Sequence, residues 1–136
     1  MASKQDIIEF IARDFPQCNS SIESVGDHSA TVRHHIGHDE LRPGGTVSGP
    51  VLMEVADIAL YIAILGEIGI VPLAVTTGLN INFLRKPSAE NDIIGVCRLL
   101  KVGRSLVIGE VNLFSEGDDQ PVAHAVGTYS IPPAKD

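Results

Sequence analysis

Basic residues are scarce in this chain, ten Lys and Arg against seventeen Asp and Glu, and the formal charge is −7. There is no tryptophan, and only two tyrosines and four phenylalanines. A chain without a basic stripe and with so few rings to stack on bases is a poor nucleic-acid binder. Cysteine is equally sparse: Cys18 and Cys97 are too few and too unpatterned for a disulfide framework or a zinc site, which fits a reducing cytoplasm. Neither has an evident catalytic setting. Long uninterrupted apolar runs are missing too. The richest, Ile58 to Val75, is broken by Gly66, Glu67, Gly69 and Pro72 where a membrane span of about 20 apolar residues would have to continue. The start, MASKQDIIEFIARDF, has charges spaced through it and reads as a helix, not a signal peptide, so a cytoplasmic protein without membrane contact is expected.

What the chain does have is GGTVSGPVLMEVADIALYIAIL, Gly44 to Leu65, apolar almost all the way round yet carrying Glu54 and Asp57. At 100° per residue, Pro50, Met53, Glu54, Asp57, Tyr61 and Ile64 share one face, with Val51, Val55, Ile58, Ala59 and Ile62 opposite. No Lys or Arg occurs between Arg42 and Arg85, so this is not an ordinary solvated helix face. Burying a carboxylate without a partner costs several kcal/mol, so acids in such a place mark a special arrangement.

The remaining pattern orders the elements. QDIIEFIARD, residues 5–14, has helical spacing and ends before Pro16. SSIESVGDHSATVRHHI alternates as one bent strand or a hairpin turning near Gly26-Asp27, and GHDELRPGG reads as a loop before the long helix from about Ser48 to Gly66. The period then changes from 3.6 to 2. In LAVTTGLNINFLR, Val75, Thr77, Leu79, Ile81 and Phe83 alternate with Thr76, Asn80 and Asn82 as a half-buried strand, and DIIGVCRLLKV, SLVIGEVNLF and VAHAVGTYSI follow with turns at Gly103-Arg104 and SEGDDQ. This predicts one α+β domain over residues 1–136: a short N-terminal helix, one long apolar helix and a curved antiparallel sheet. A sheet of five or six strands wraps only about half of such a helix, which predicts that a second copy covers the rest.

In this order of elements, and most sharply from Arg42 to Leu65 and at NFLRKP, KVGRSLVIGEV and PVAHAVGTYS, the chain resembles the hot-dog fold and, within it, the PaaI-type acyl-CoA thioesterases. The family motif is His-Gly-Gly opening the helix, with an Asp or Glu eight residues after the first glycine; here Gly49 opens the helix and Asp57 follows eight later. The resemblance implies that Asp57 is the catalytic carboxylate, acting as nucleophile or as base for water, and that the Gly49 N–H polarises the thioester carbonyl. It further implies an acyl-CoA substrate, no cofactor, and a homodimer or a tetramer built from two. General chemistry supports this division: free N–H groups at a helix start suit a developing oxyanion, and one such donor is worth about 3 kcal/mol of barrier. Three positions around the substrate depart from the pattern. Ser48 stands where the family has His, Arg42 where it has a polar amide, and Tyr61 where a Ser or Thr often follows the acid by one turn. Ser48 is also a fair N-cap.

Two other readings compete. Hot-dog dehydratases and hydratases, which act on 3-hydroxyacyl or enoyl thioesters, pair a His with an acid on the central helix. In dehydratases that acid lies about five residues after the opening glycine, where Glu54 stands, and its partner would be His38 or a neighbour, His38 being two residues farther away than that pattern has it. Glu54 otherwise reads as a partly exposed or interface group touching the substrate side. The alternative from another class is a non-catalytic acyl-CoA-binding protein. A polyanionic coenzyme needs local cations, for which Arg85, Lys86 and Arg104 near strand ends are the candidates. Apolar Pro50, Met53 and Ile64 on the acid face suit an acyl chamber. His34, His35 and His38 suggest a metal, but neighbours in a strand point to opposite faces and no Cys or acid pair completes a site, so they read as solvated loop residues and no metal is expected.

Overall fold

The computed structural model describes residues 1–133. Helix α1 (Lys4–Asp14) starts at a reciprocal cap, with Ser3 Oγ accepting from the Asp6 N–H and the Asp6 carboxylate accepting from the Ser3 N–H, and it buries Ile7 and Phe10. Strands β1 (Ser20–Gly26) and β2 (Ser29–His34) form a hairpin through Asp27 and His28, the latter in the left-handed region at φ 54°. The segment expected as a plain loop holds a single helical turn, His38–Glu40, and two short strands, β3 (Leu41–Arg42) and β4 (Thr46–Val47), paired with each other. Two-residue strands have no period to read. Helix α2 spans Gly49–Ile68, followed by β5 (Val75–Phe83), β6 (Ile93–Val102), β7 (Leu106–Ser115) and β8 (Ala123–Ser130). Six strands make one antiparallel sheet in the order β1-β2-β6-β7-β8-β5, with α2 packed along it. This is the hot-dog arrangement.

Glycines set how closely the helix seats. Gly109 of β7 and Gly127 of β8 are cross-strand partners, and Leu60 of α2 drops its two methyls into the notch they leave. A Cβ on Gly127 would stand 2.4 Å from Leu60 Cδ1, and one on Gly109 2.7 Å from Cδ2. Gly66 does not end the helix, as its type suggested, because it serves packing: a Cβ there would meet Val25 Cγ1 at 2.4 Å. The helix continues to Ile68 and is capped through Gly69, whose N–H donates to the Leu65 carbonyl at 2.9 Å.

Every residue of α2 from Ile58 to Leu65 is buried within this one chain. The sheet covers one side, and α1 packs on the other, where the Phe10 and Tyr61 rings lie 6.5 Å apart. The expected need for outside cover is thereby confined to the first half of the helix, where Pro50, Met53 and Glu54 are exposed and Asp57 is half-buried. Strand β5 also differs from expectation. It is a sheet edge and mostly exposed, with Val75 and Phe83 each 54% accessible and only Leu79 and Ile81 reaching the core. Among the described residues no helix is long and apolar enough to cross a membrane.

Candidate active site

The seating of Leu60 fixes the rotation of α2, and Asp57, nearly one turn earlier, comes to face the ends of β5 and β8. Its Oδ1 accepts two hydroxyl hydrogen bonds, from Tyr129 at 2.7 Å and from Thr76 at 2.5 Å; the Tyr129 hydroxyl also lies 3.1 Å from the Asp57 backbone carbonyl. Thr76 and Tyr129 are direct partners in the β5–β8 ladder. Simple alternation places Thr76 on the face opposite Leu79. A bulge at Thr77 inserts one residue between Thr76 and Gly78, and so turns Thr76 to the same side as Tyr129. Neither hydroxyl was singled out by sequence reasoning; Tyr129 lies in a stretch that carried the resemblance, and Thr76 lies outside those stretches. A bulge next to Gly78 is the one signal that could have found Thr76.

Asp57 opens on a cleft of about 460 Å³ between α1, α2 and the start of β5, walled by Ile58, Pro72, Ala74 and Val75. Of the chain's six aromatic residues, four line this cleft: Phe10, Phe15, Tyr61 and Tyr129. Tyr61 and Tyr129 stack with centroids 6.2 Å apart. Burial, then the negative charge of Asp57, pushes the Tyr129 phenol well above the usual range, so it stays a protonated donor. Burial raises Tyr61 as well, and its hydroxyl donates to the Pro72 carbonyl at 3.2 Å, away from the acid. The Tyr61 that departs from the family pattern is therefore a wall of the cleft, not a hydroxyl serving Asp57.

At the other end of the exposed stretch, Ser48 caps α2, its Oγ accepting from the Val51 N–H at 3.4 Å and its own N–H donating to the Glu40 carbonyl at 3.0 Å. The Gly49 Cα is covered by the Phe83 ring, which a Cβ at that position would meet at 3.3 Å. Arg42 is exposed on the small hairpin before the helix. Glu54 is exposed and does not line the Asp57 cleft; its charge acts on half-buried Cys18. Arg85 follows β5 and donates to Gln120 at 2.9 Å, whereas Arg104 sits in the β6–β7 turn. The strand register puts these two arginines at opposite ends of the sheet, since Phe83 pairs with Ala123 while Ser130 pairs with both Val75 and Leu106. One chain cannot close both on a single phosphate group.

The histidines diverge. His34 is buried, correcting the solvated-loop reading: its Nδ1 lies 3.2 Å from Ser20 Oγ, and its Nε2 lies 3.8 Å from Glu40. His35 is exposed beside Asp92, and His38 opens the turn before β3. Among the described residues, the acids and histidine that do converge are Asp27, His28 and Glu67, where the β1–β2 turn meets the end of α2. Cys97 is no nucleophile: burial, with Glu110 nearby, pushes its thiol up to about 12.

A family model described as the thioesterase superfamily matches residues 44–122. A candidate thioesterase from Silicibacter sp. TM1040 is 42% identical, with a TM-score of 0.88 over 96% of this chain and 92% of that one. Two more distant structures show the shared fold. Zebrafish thioesterase superfamily member 2 is 18% identical, with a TM-score of 0.85 over 97% of this chain and 100% of that one. The Escherichia coli PaaI protein from the phenylacetic acid degradation operon is 18% identical, with a TM-score of 0.83 over 96% and 93%. No curated protein matches the sequence.

Proposed function

The chain belongs to the thioesterase superfamily, and on that premise we propose that it hydrolyses an acyl-coenzyme A thioester with Asp57 as its catalytic carboxylate. The observation that carries the reading is the setting of Asp57: a half-buried carboxylate, held by two hydroxyls, in a ring-lined cleft whose one other carboxylate among the described residues is Asp14 of α1. Asp57 either attacks the carbonyl carbon, expelling the thiolate and leaving an anhydride that water then hydrolyses, or takes the proton of a water that attacks directly and expels the thiolate. In both routes the proton from water ends on the thiolate sulfur, the Asp57 carboxylate is regenerated, and a carboxylic acid is the second product. The cleft takes the acyl group.

The Gly49 N–H is the oxyanion donor in this reading, and it requires a second copy. Eight residues of α-helix separate Gly49 from Asp57, about 12 Å at 1.5 Å per residue, so one chain cannot present both to one carbonyl. An antiparallel two-fold through exposed β5 resolves this. It lays the Gly49 and Phe83 end of one copy beside the Asp57 and Thr76 end of the other, covers Met53, Val75 and Phe83, and brings Arg104 toward Arg85 of the partner subunit. The dehydratase reading finds less support, because Glu54 stands outside the cleft.

Thiol release from a panel of short, medium, long and aromatic acyl-CoAs tests the activity, and binding without turnover would leave an acyl-CoA-binding protein instead. Subunit sharing is tested by mixing Asp57→Asn with Gly49→Pro, each inactive alone. Random exchange should restore about a quarter of wild-type activity, since half of the dimers are mixed and each carries one intact site. No recovery despite exchange would place both groups on one chain.

A further inference from the structure

We propose that Tyr129 is the positioning residue of Asp57: its hydroxyl fixes the carboxylate so that Oδ1 is occupied and Oδ2 is the oxygen presented to the cleft. This rests on the thioesterase reading for its consequence, but the contact itself does not. Tyr129 is 3% exposed, so its hydroxyl has little access to solvent, and both of its acceptors belong to Asp57. Bonding side chain and backbone of one residue at 2.7 and 3.1 Å fixes the rotation of the carboxylate relative to the helix, which a bond to the side chain alone does not do. Among the described residues, Thr76 also donates to Oδ1 and nothing donates to Oδ2.

The rings hold the tyrosine in turn. Phe10 packs on Tyr61 and Tyr61 stacks on Tyr129, so α1 backs the acid through three side chains. The Tyr61 hydroxyl is turned to the Pro72 carbonyl, which leaves Tyr129 and Thr76 as the donors to Asp57. Such support lowers the cost of orienting the reacting oxygen before substrate arrives.

The test is Tyr129→Phe, which keeps the ring and the stack and removes only the hydroxyl. Losing a hydrogen bond to a charged group should lower kcat by about tenfold or more while KM for acyl-CoA changes by less than about twofold. In an Asp57→Asn background the same substitution should cost nothing further, because the group it positions is gone. A merely structural tyrosine would lower activity by the same factor in both backgrounds, through the folded fraction alone, and that result overturns the proposal. An independent readout is the slowly exchanging Tyr129 hydroxyl proton by NMR, assigned by its loss in Tyr129→Phe. It should shift in Asp57→Asn, and an unmoved resonance overturns the contact. Absence of thioester hydrolysis by the wild type would remove the proposed function, while the NMR result would still decide the contact.

Discussion

Replacing Gly127 by alanine should destabilise the protein through a single contact, and a second substitution should largely undo the damage. The new methyl would lie 2.4 Å from Leu60 Cδ1, and Leu60 cannot swing aside, because its other methyl already fills the space over Gly109 and the side chain is 1% exposed. Overpacking of this kind costs about 1–3 kcal/mol. Alanine regains about 0.4–1 kcal/mol by restricting the unfolded chain, leaving a net loss near ~1–2 kcal/mol. Leu60→Ala alone leaves a cavity between helix and sheet and should cost about 2–5 kcal/mol. In the double variant the alanine methyl enters the space that Leu60 vacates, so the clash disappears and part of the cavity fills. The combined loss should then fall short of the sum by about 1 kcal/mol or more. Urea unfolding at one fixed protein concentration measures all four stabilities. A Gly127→Ala protein as stable as wild type, or strict additivity in the double variant, would refute the claim that this notch seats the helix.

The raised pKa of His28, caused first by its hydrogen bond to Asp27 and then by the charge of Glu67, sets a pH dependence. The stability gained from charged His28 is fully present below its ordinary value of 6.5 and is lost as pH rises through the higher folded value. The urea midpoint of wild type should therefore fall relative to His28→Asn as pH rises above the ordinary value of 6.5, the Asn tolerating the left-handed backbone; parallel pH curves would reject the pairing of His28 with Asp27 and Glu67. Val75→Lys, at an exposed edge position, should convert a wild-type dimer into a folded monomer in sedimentation, and a monomeric wild type at micromolar concentration would end the two-fold proposal. Arg85→Ala or Arg104→Ala should raise KM for acyl-CoA and spare a truncated thioester without the nucleotide; equal effects on both substrates would remove these residues from phosphate binding.

The long helix was legible as an unbroken apolar run between a Ser–Gly–Pro start and a Gly-rich end, and the later strands as alternating stretches between turn signals. The resemblance pointed to Gly49 and Asp57, through the spacing of the family motif, and the structure puts Gly49 at the helix start and Asp57 in the cleft. What escaped depends on neighbours that no linear pattern records. Thr76 faces Asp57 only because of the bulge at Thr77, which breaks the alternation that any strand reading assumes. Tyr129 lies in a stretch legible only as a strand, and its hydroxyl bonds an acid 72 positions earlier. His34 is buried because it follows Ala30 and Val32 on the inward face of β2; Ser20 meets its ring at 3.2 Å and Glu40 lies 3.8 Å away, and neither partner lies at a spacing that announces it. Arg85 and Arg104 suggest one phosphate site as a list, yet the register separates them by the length of β5. The helix that looked too apolar for one chain also packs against α1, through a Phe10–Tyr61 contact between two elements whose packing the sequence leaves open.

The central claim is that Asp57, not Glu54, does the chemistry, and thiol release from purified Asp57→Asn tests it most directly. The amide keeps the shape of the carboxylate and can still accept from Tyr129 and Thr76, but it offers neither nucleophile nor base. On an acyl-CoA that the wild type hydrolyses, kcat should fall by at least about 100-fold, while Glu54→Gln, altering an exposed side chain outside the cleft, should change it by only a few-fold. An Asp57→Asn protein that hydrolyses at the wild-type rate would contradict the account.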